Sequence, residues 1–152
     1  NRLTVYGEDG NDADVLTNGN FNCTNSLTVY GSIYVQGTSS MSNSCRTTED
    51  LWVNGNISMS NSARADHDIK SSTGSVTMGG SSYAGNNIQV AGSCTGCTGR
   101  YGGTLTTGET VADWRGVWKR PPNVDVAVSV DADAFLNRFV ERVGRLAAAR
   151  PT

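Results

Sequence analysis

The chain has 152 residues, enough for one domain and a tail. Its 18 glycines, sparse charge and abundant Ser, Thr and Asn would imply disorder unless a repeat organises them. A net charge of −2 argues against nucleic acid or an anionic membrane as an overall partner, and no apolar run is long enough to span a bilayer.

Leu3-Thr4-Val5-Tyr6-Gly7 reads as a short strand ending in a bend. An acidic loop follows, with Glu8, Asp9, Asp12 and Asp14. These are calcium-type oxygen ligands, but they lack the spaced order of a calcium loop, so a solvated loop is the simpler reading.

From Val15 onward a period of 18 governs the chain. Units starting at Val15, Ile33, Leu51, Ile69 and Ile88 bring Gly19, Gly37, Gly55, Gly74 and Gly92 to a corner, with steps of 18, 18, 19 and 18. A second column starts at Leu3, Phe21, Ser39, Ile57 and Val76, with corners at Gly7, Asn25, Asn43, Asn61 and Gly80. Gly and Asn adopt positive φ most cheaply, which is the expected reason for their place at these bends. Both columns slip by one residue between Ile69 and Gly74, as one extra residue at a bend would cause. Within each unit apolar residues alternate with outward ones, the pattern of a strand with one buried face. A third column, Leu27, Cys45, Ala63 and Ser82, is small and polar.

Residues 1–97 are therefore expected to form an all-β, single-chain parallel β-solenoid of triangular section, with about 18 residues per rung. Residues 98–123 are expected to be a Gly-rich loop and Trp-containing linker. Residues 124–152 should add a strand and an amphipathic α-helix.

Three surfaces of the solenoid are candidates for function. Leu16, Tyr34 and Trp52 stack as an outward apolar ladder, which should be covered by a partner or by the chain's own tail. The third column gathers the charges: Arg46 over Arg64, Thr48 over Asp66, Glu49 over His67, Asp50 over Asp68. A histidine beside carboxylates is a possible general base. The plainer reading is a polar edge in which Glu49 and neighbouring aspartates hold the sole histidine. The second column's outward face is small and polar, without a regular threonine ladder.

Cys23 and Cys45 fall on inward positions one rung apart, and Cys94 and Cys97 are close in sequence. Two disulfides and reduced buried thiols both remain open, while a zinc site of all four is disfavoured by their spread along the stack. Disulfides would imply export. The Cys94-Thr95-Gly96-Cys97 spacing lacks the helical context of a redox motif. No cofactor or metal is expected.

Trp114 and Trp118 should close the solenoid end or lie on its apolar ladder. Val124, Val126, Val128 and Val130 alternate as a strand able to add to an open sheet edge of another chain. Asp131 or Asp133 should cap a helix running to about Ala149. Phe135, Phe139, Val143 and Leu146 form its apolar stripe, to pack on its own domain or on a neighbouring subunit.

The short valine-glycine strands give an organisation that resembles the bactofilin β-helix. The wording "LTVYGSIYVQG" (27–37), "LWVNGNISMSNSA" (51–63) and "IQVAGSC" (88–94), with Pro121-Pro122, is similar to the β-helical part of actinobacterial PilX-type pilus assembly proteins. That resemblance implies an upstream pilin-like membrane helix. The chain opens at Asn1 without one, so a processed chain or a fragment is expected. The overall expectation is a non-enzymatic structural subunit of an extracellular or cell-surface appendage. Its partners would be itself or other appendage subunits. The alternatives are a carbohydrate-active or carbohydrate-binding β-helix using the Glu49, His67 and Asp68 edge, and a bactofilin-like cytoskeletal polymer.

Overall fold

A computed structural model describes residues 3–6, 13–118 and 125–128. β1 (Leu3–Val5) precedes the first full rung of β2 (Ala13–Thr17), β3 (Phe21–Cys23) and β4 (Leu27–Val29). The second rung is β5 (Ile33–Val35), β6 (Ser39–Met41) and β7 (Cys45–Thr47). The third is β8 (Leu51–Val53), β9 (Ile57–Met59) and β10 (Arg64–Ala65). β11 (Ile69–Ser71), β12 (Val76–Met78) and β13 (Tyr83–Ala84) make the fourth. β14 (Ile88–Val90) and β15 (Cys94–Thr95) make most of the fifth, and β16 (Leu105–Thr107) begins another. β17 (Asp125–Val128) comes last in the chain.

Every pairing is parallel, and the strands stack into three sheets. The seven-stranded sheet runs β16-β14-β11-β8-β5-β2-β17. The two five-stranded sheets run β15-β12-β9-β6-β3 and β1-β4-β7-β10-β13. The chain is thus a triangular β-solenoid of about five turns. Its core is the column of inward residues: Val15, Ile33, Leu51, Ile69 and Ile88 are 0% exposed, and Met41 and Met59 are 1%. Such burial supplies roughly 1.5–3 kcal/mol per side chain, and a lone rung has no neighbour to provide it.

Four expectations need correction. Leu3–Val5 does not stack on Phe21. It pairs with β4, Leu3 opposite Leu27 and Val5 opposite Val29, because this first repeat is 24 residues long, six more than the usual period. The solenoid does not end at residue 97. β16 continues the ladder, with Leu105 opposite Ile88, and Tyr101 bridges to Ala84. The predicted 98–123 linker therefore begins inside the solenoid.

The third correction concerns the corner glycines. Asn43 (φ 57), Asn61 (φ 52) and Gly80 (φ 60) do hold positive φ. They sit in tight turns closed by bonds from Cys45 N to Ser42 O, Ala63 N to Ser60 O and Ser82 N to Gly79 O. Gly37, Gly55, Gly74 and Gly92 are not at positive φ. Their constraint is close approach: a Cβ on Gly55 would lie 2.6 Å from the carbonyl oxygen of Gly37, and one on Gly92 2.7 Å from that of Gly74. Fourth, the predicted strand at 124–130 is realised as β17, and it pairs with this chain's own β2. The predicted helix to Ala149, with Phe135, Phe139, Val143 and Leu146, lies outside the described residues.

The extra residue falls where the two columns slip. Ser71 stays opposite Val53, while Val76 stands opposite Ile57, one residue later than the period. In other rungs the corner N–H reaches the corner carbonyl below, as Gly55 N reaches Gly37 O at 2.8 Å. Here Ser71 Oγ intervenes, donating to Gly55 O at 2.6 Å and accepting from Gly74 N at 3.1 Å.

A Gly55→Ala change should destabilise the fold by about 1–3 kcal/mol, because backbone on the rung below cannot move aside. Gly79 has nothing within 4 Å of a built Cβ and no positive φ. Gly79→Ala should therefore be near neutral, and urea unfolding of the two variants checks the contrast.

Candidate functional site

The charged edge follows from the rung geometry. Ser32, Asp50, Asp68, Asn87 and Thr104 each directly precede a strand of the seven-stranded sheet, and Asp14, inside β2, holds the same register one residue before Val15. Each short oxygen acceptor takes the backbone N–H of its counterpart one rung later. Ser32 N donates to Asp14 Oδ1 (2.9 Å), Asp50 N to Ser32 Oγ (3.1 Å) and Asp68 N to Asp50 Oδ1 (3.0 Å). Asn87 N donates to Asp68 Oδ1 (3.0 Å) and Thr104 N to Asn87 Oδ1 (2.9 Å). A shorter ladder at the next corner includes Thr38 N to Asn20 Oδ1, Ser75 N to Asn56 Oδ1 and Ser93 N to Ser75 Oγ. The aspartates on this edge thus satisfy backbone donors that the corners leave without a strand partner. Asp14 has Ser32 N on one oxygen and the Trp118 indole on the other, so it is engaged in the fold, unlike the solvated loop residue that the sequence suggested.

His67 stands over Glu49, as the period predicts, with His67 N bonded to Glu49 O at 3.1 Å. Its ring partner is not Glu49, however. Nδ1 lies 2.7 Å from Asp50 Oδ1 and 3.6 Å from Asp68 Oδ2. Glu49 Oε2 instead accepts from Ser32 Oγ at 3.2 Å. The Asp50 hydrogen bond raises the His67 pKa above its ordinary value; desolvation opposes this, and the Asp68 and Asp50 charges add to it. The stability this gives is present below about pH 6.5 and fades as pH rises through the raised value; the ring's exposure keeps it small. Nε2, the nitrogen a general base would use, is 3.4 Å from the Asn86 amide nitrogen. Thr48, Glu49, Asp50, Asp66 and His67 line an open groove of about 340 Å³. Asp50, His67 and Asp68 each bring a ligand-type atom within 4.8 Å of the others, but the same carboxylates hold backbone N–H groups.

Asp66 joins two arginines. Arg46 sits over Arg64 in register, and like charges one rung apart repel. Asp66 binds Arg46 through both carboxylate oxygens and Arg64 Nε at 2.8 Å. Burial pushes the Asp66 carboxyl up, but the hydrogen bonds and charges of Arg46 and Arg64 outweigh it and hold it below the ordinary range. Arg64 also lies over the Tyr83 ring at 4.9 Å.

The aromatic ladder is in register as expected, Leu16 opposite Tyr34 and Tyr34 opposite Trp52. The chain itself covers it. After β16 the backbone turns back along the sheet to a 3-10 turn, Trp114–Gly116, whose cap Asp113 accepts from Arg115 N at 2.8 Å. Trp114 is 4% exposed, its ring 5.5 Å from Tyr34, and its indole N–H donates to Val35 O at 2.9 Å. Trp118 lies 6.1 Å from Tyr34 and donates to Asp14 Oδ2 at 3.1 Å. Trp52 donates to Ala112 O at 3.0 Å, and Lys70 Nζ sits 4.3 Å above its ring. Of the two predicted places for Trp114 and Trp118, the ladder is correct. Leu16, Tyr34 and Trp52 are therefore not an open interaction face, and the described part of the tail is engaged in cis. The Trp pair four residues apart signalled this; nothing in the sequence singled out Ala112 or Val35 as acceptors.

The four cysteines form two disulfides, Cys23–Cys45 and Cys94–Cys97, with Cα separations of 6.2 and 5.8 Å. Among the described residues no helix is long and apolar enough to cross a membrane. Compared with protein-family models, with curated proteins and with solved structures, the chain matches none.

Burial beneath the tail raises the Tyr34 pKa to about 12; a Ser32 hydrogen bond opposes this, and the charges of Asp14, Asp50 and Glu49 add to it. A raised acid favours its neutral form in the fold. The stability it contributes is full below its ordinary value of 10.0 and is lost as pH rises to about 12. Phenolate absorbance, taken by difference against Tyr34→Phe, should show this midpoint. Trp114→Ala should move the midpoint down toward the ordinary value, and an unchanged midpoint would show that the tail does not shield the phenol.

Proposed function

We propose that the chain is a structural subunit of an extracellular, pilus-like or fibrous surface appendage that self-associates through its solenoid ends. The observation that carries this reading is the stack itself. Its acids are engaged as rung-to-rung acceptors, and the β16 edge is left with no strand beyond it among the described residues. An unpaired parallel edge invites another strand. Two disulfides suit an oxidising compartment and weigh against the bactofilin-like cytoskeletal alternative. The PilX-like wording of residues 27–63 agrees with an appendage role. Electron microscopy and sedimentation of the full chain test it. Filaments or ordered oligomers are expected, and a strict monomer at every concentration overturns the reading.

The groove at His67 favours a second reading, carbohydrate binding or turnover on the Glu49, His67 and Asp68 edge. His67→Ala then separates the two. On the structural reading it leaves assembly unchanged and abolishes nothing, because the ring holds no backbone group. On the carbohydrate reading it removes glycan binding or hydrolysis with the fold intact.

A further inference from the structure

We propose that β17 is a removable cap: it occupies the place that the last rung of a second copy of this chain would take, so that its release permits head-to-tail stacking of solenoids. The inference rests on the self-association reading above and supplies its control point.

β17 pairs parallel with β2, Asp125 opposite Ala13 and Ala127 opposite Val15. Elsewhere in that sheet every pairing joins one rung to the next, also in parallel. Ala127 therefore stands on Val15 in the register position that Val15 holds on Ile33, and Ile33 on Leu51. β17 thus acts as a substitute preceding rung for the first strand of the seven-stranded sheet.

The other end of the same column is Leu105. The N–H groups of Val15, Ile33, Leu51, Ile69 and Ile88 each donate to a carbonyl on the next rung, namely Ser32, Asp50, Asp68, Asn87 and Thr104, at 2.8–2.9 Å. The equivalent N–H of Leu105 points off the end of the described stack. A second copy set beyond β16 would offer its Asp14 carbonyl, the counterpart of Ser32, to that N–H. The acceptor column itself ends at Thr104, whose N–H and hydroxyl both donate back to Asn87 Oδ1. Polarity and register therefore match along the seven-stranded sheet, provided the second copy's β17 has left its β2.

The cap is small beside what would replace it. β17 covers four residues of one sheet edge, whereas a second copy with its β2 on β16 would also set its β1 beside the Ala84–Tyr101 bridge, with its β3 one rung short of β15. The Trp118–Asp14 hydrogen bond lies just ahead of β17 in the chain and ties the tail to the strand it caps. That placement favours the cis arrangement over donation of the strand to a neighbour.

The test uses the full chain carrying Val126→Pro with Ala127→Pro, which removes the N–H groups of the cap. Sedimentation velocity and electron microscopy across a concentration series should show assembly beginning at about tenfold lower protein concentration than in the wild type. Adding Leu105→Pro should return that variant to the monomer, since proline there removes only the outgoing donor of an edge strand. Formation of both disulfides checks folding in each variant. Trp118→Ala, which leaves the strand intact and loosens its anchor, should shift assembly in the same direction by a smaller factor. If capped and uncapped chains assemble alike, the cap is overturned and self-association stands. If the uncapped chain assembles less than the wild type, the strand is exchanged between copies and the cap is again overturned. If neither assembles at any concentration, the inference and the reading beneath it both fail.

Discussion

The spacing between paired strands is the constraint from which the rest follows. Successive rungs lie about 4.8 Å apart along the stack, so whatever stands at a corner must fit against the same corner of the rung below. Gly37, Gly55, Gly74 and Gly92 meet that demand by having no side chain, since a Cβ on any of them would be driven into the backbone or polar side chain beneath. Where the bend itself is tight, the demand is conformational, and Asn43, Asn61 and Gly80 meet it through positive φ. One composition, rich in Gly and Asn, thus answers two different physical requirements at two different corners.

The same spacing explains where the charge went. A corner interrupts the strand ladder and leaves backbone N–H groups facing the previous rung without a carbonyl. A short oxygen side chain directly beneath can accept them, and Asp, Asn, Ser and Thr are the residues of that reach. Asp50 and Asp68 therefore look like part of a catalytic edge in sequence, and with Asp14 they serve as corner acceptors in the fold. His67 is seated by the same ladder, through Asp50, and is exposed because it does not belong to the acceptor column.

The period, the triangular section and the cysteine pairings as one open alternative were legible because inward alternation and corner glycines recur from Val15 to Gly92 with a single one-residue slip. The first strand was not placed correctly, although the signal existed. Leu3-Thr4-Val5-Tyr6-Gly7 repeats Leu27-Thr28-Val29-Tyr30-Gly31 word for word, 24 residues apart, and a fixed period of 18 passes over that match. The end of the stack was missed because Thr106 and Thr107 lack the apolar alternation and because Leu105 and Gly108 fall short of the 18-residue frame set by Ile88 and Gly92. The acceptor column was also readable, always one residue before the apolar residue that opens each unit. Its role was not, because charge attracts a chemical reading and a backbone N–H one rung away leaves no mark in sequence.

Ser71 shows how far local rules depend on the stack. Its position belongs to Val35, Val53 and Val90 in three other rungs and to Thr17, another buried hydroxyl, in the first. The extra residue in this corner moves Gly74 N–H away from the carbonyl of Gly55. A valine would then leave both half-buried groups without a protein partner. The serine bridges them instead. The slip in the period and the polar residue in the core are thus one event: the insertion removes a backbone hydrogen bond, and the side chain beside it restores the connection between rungs.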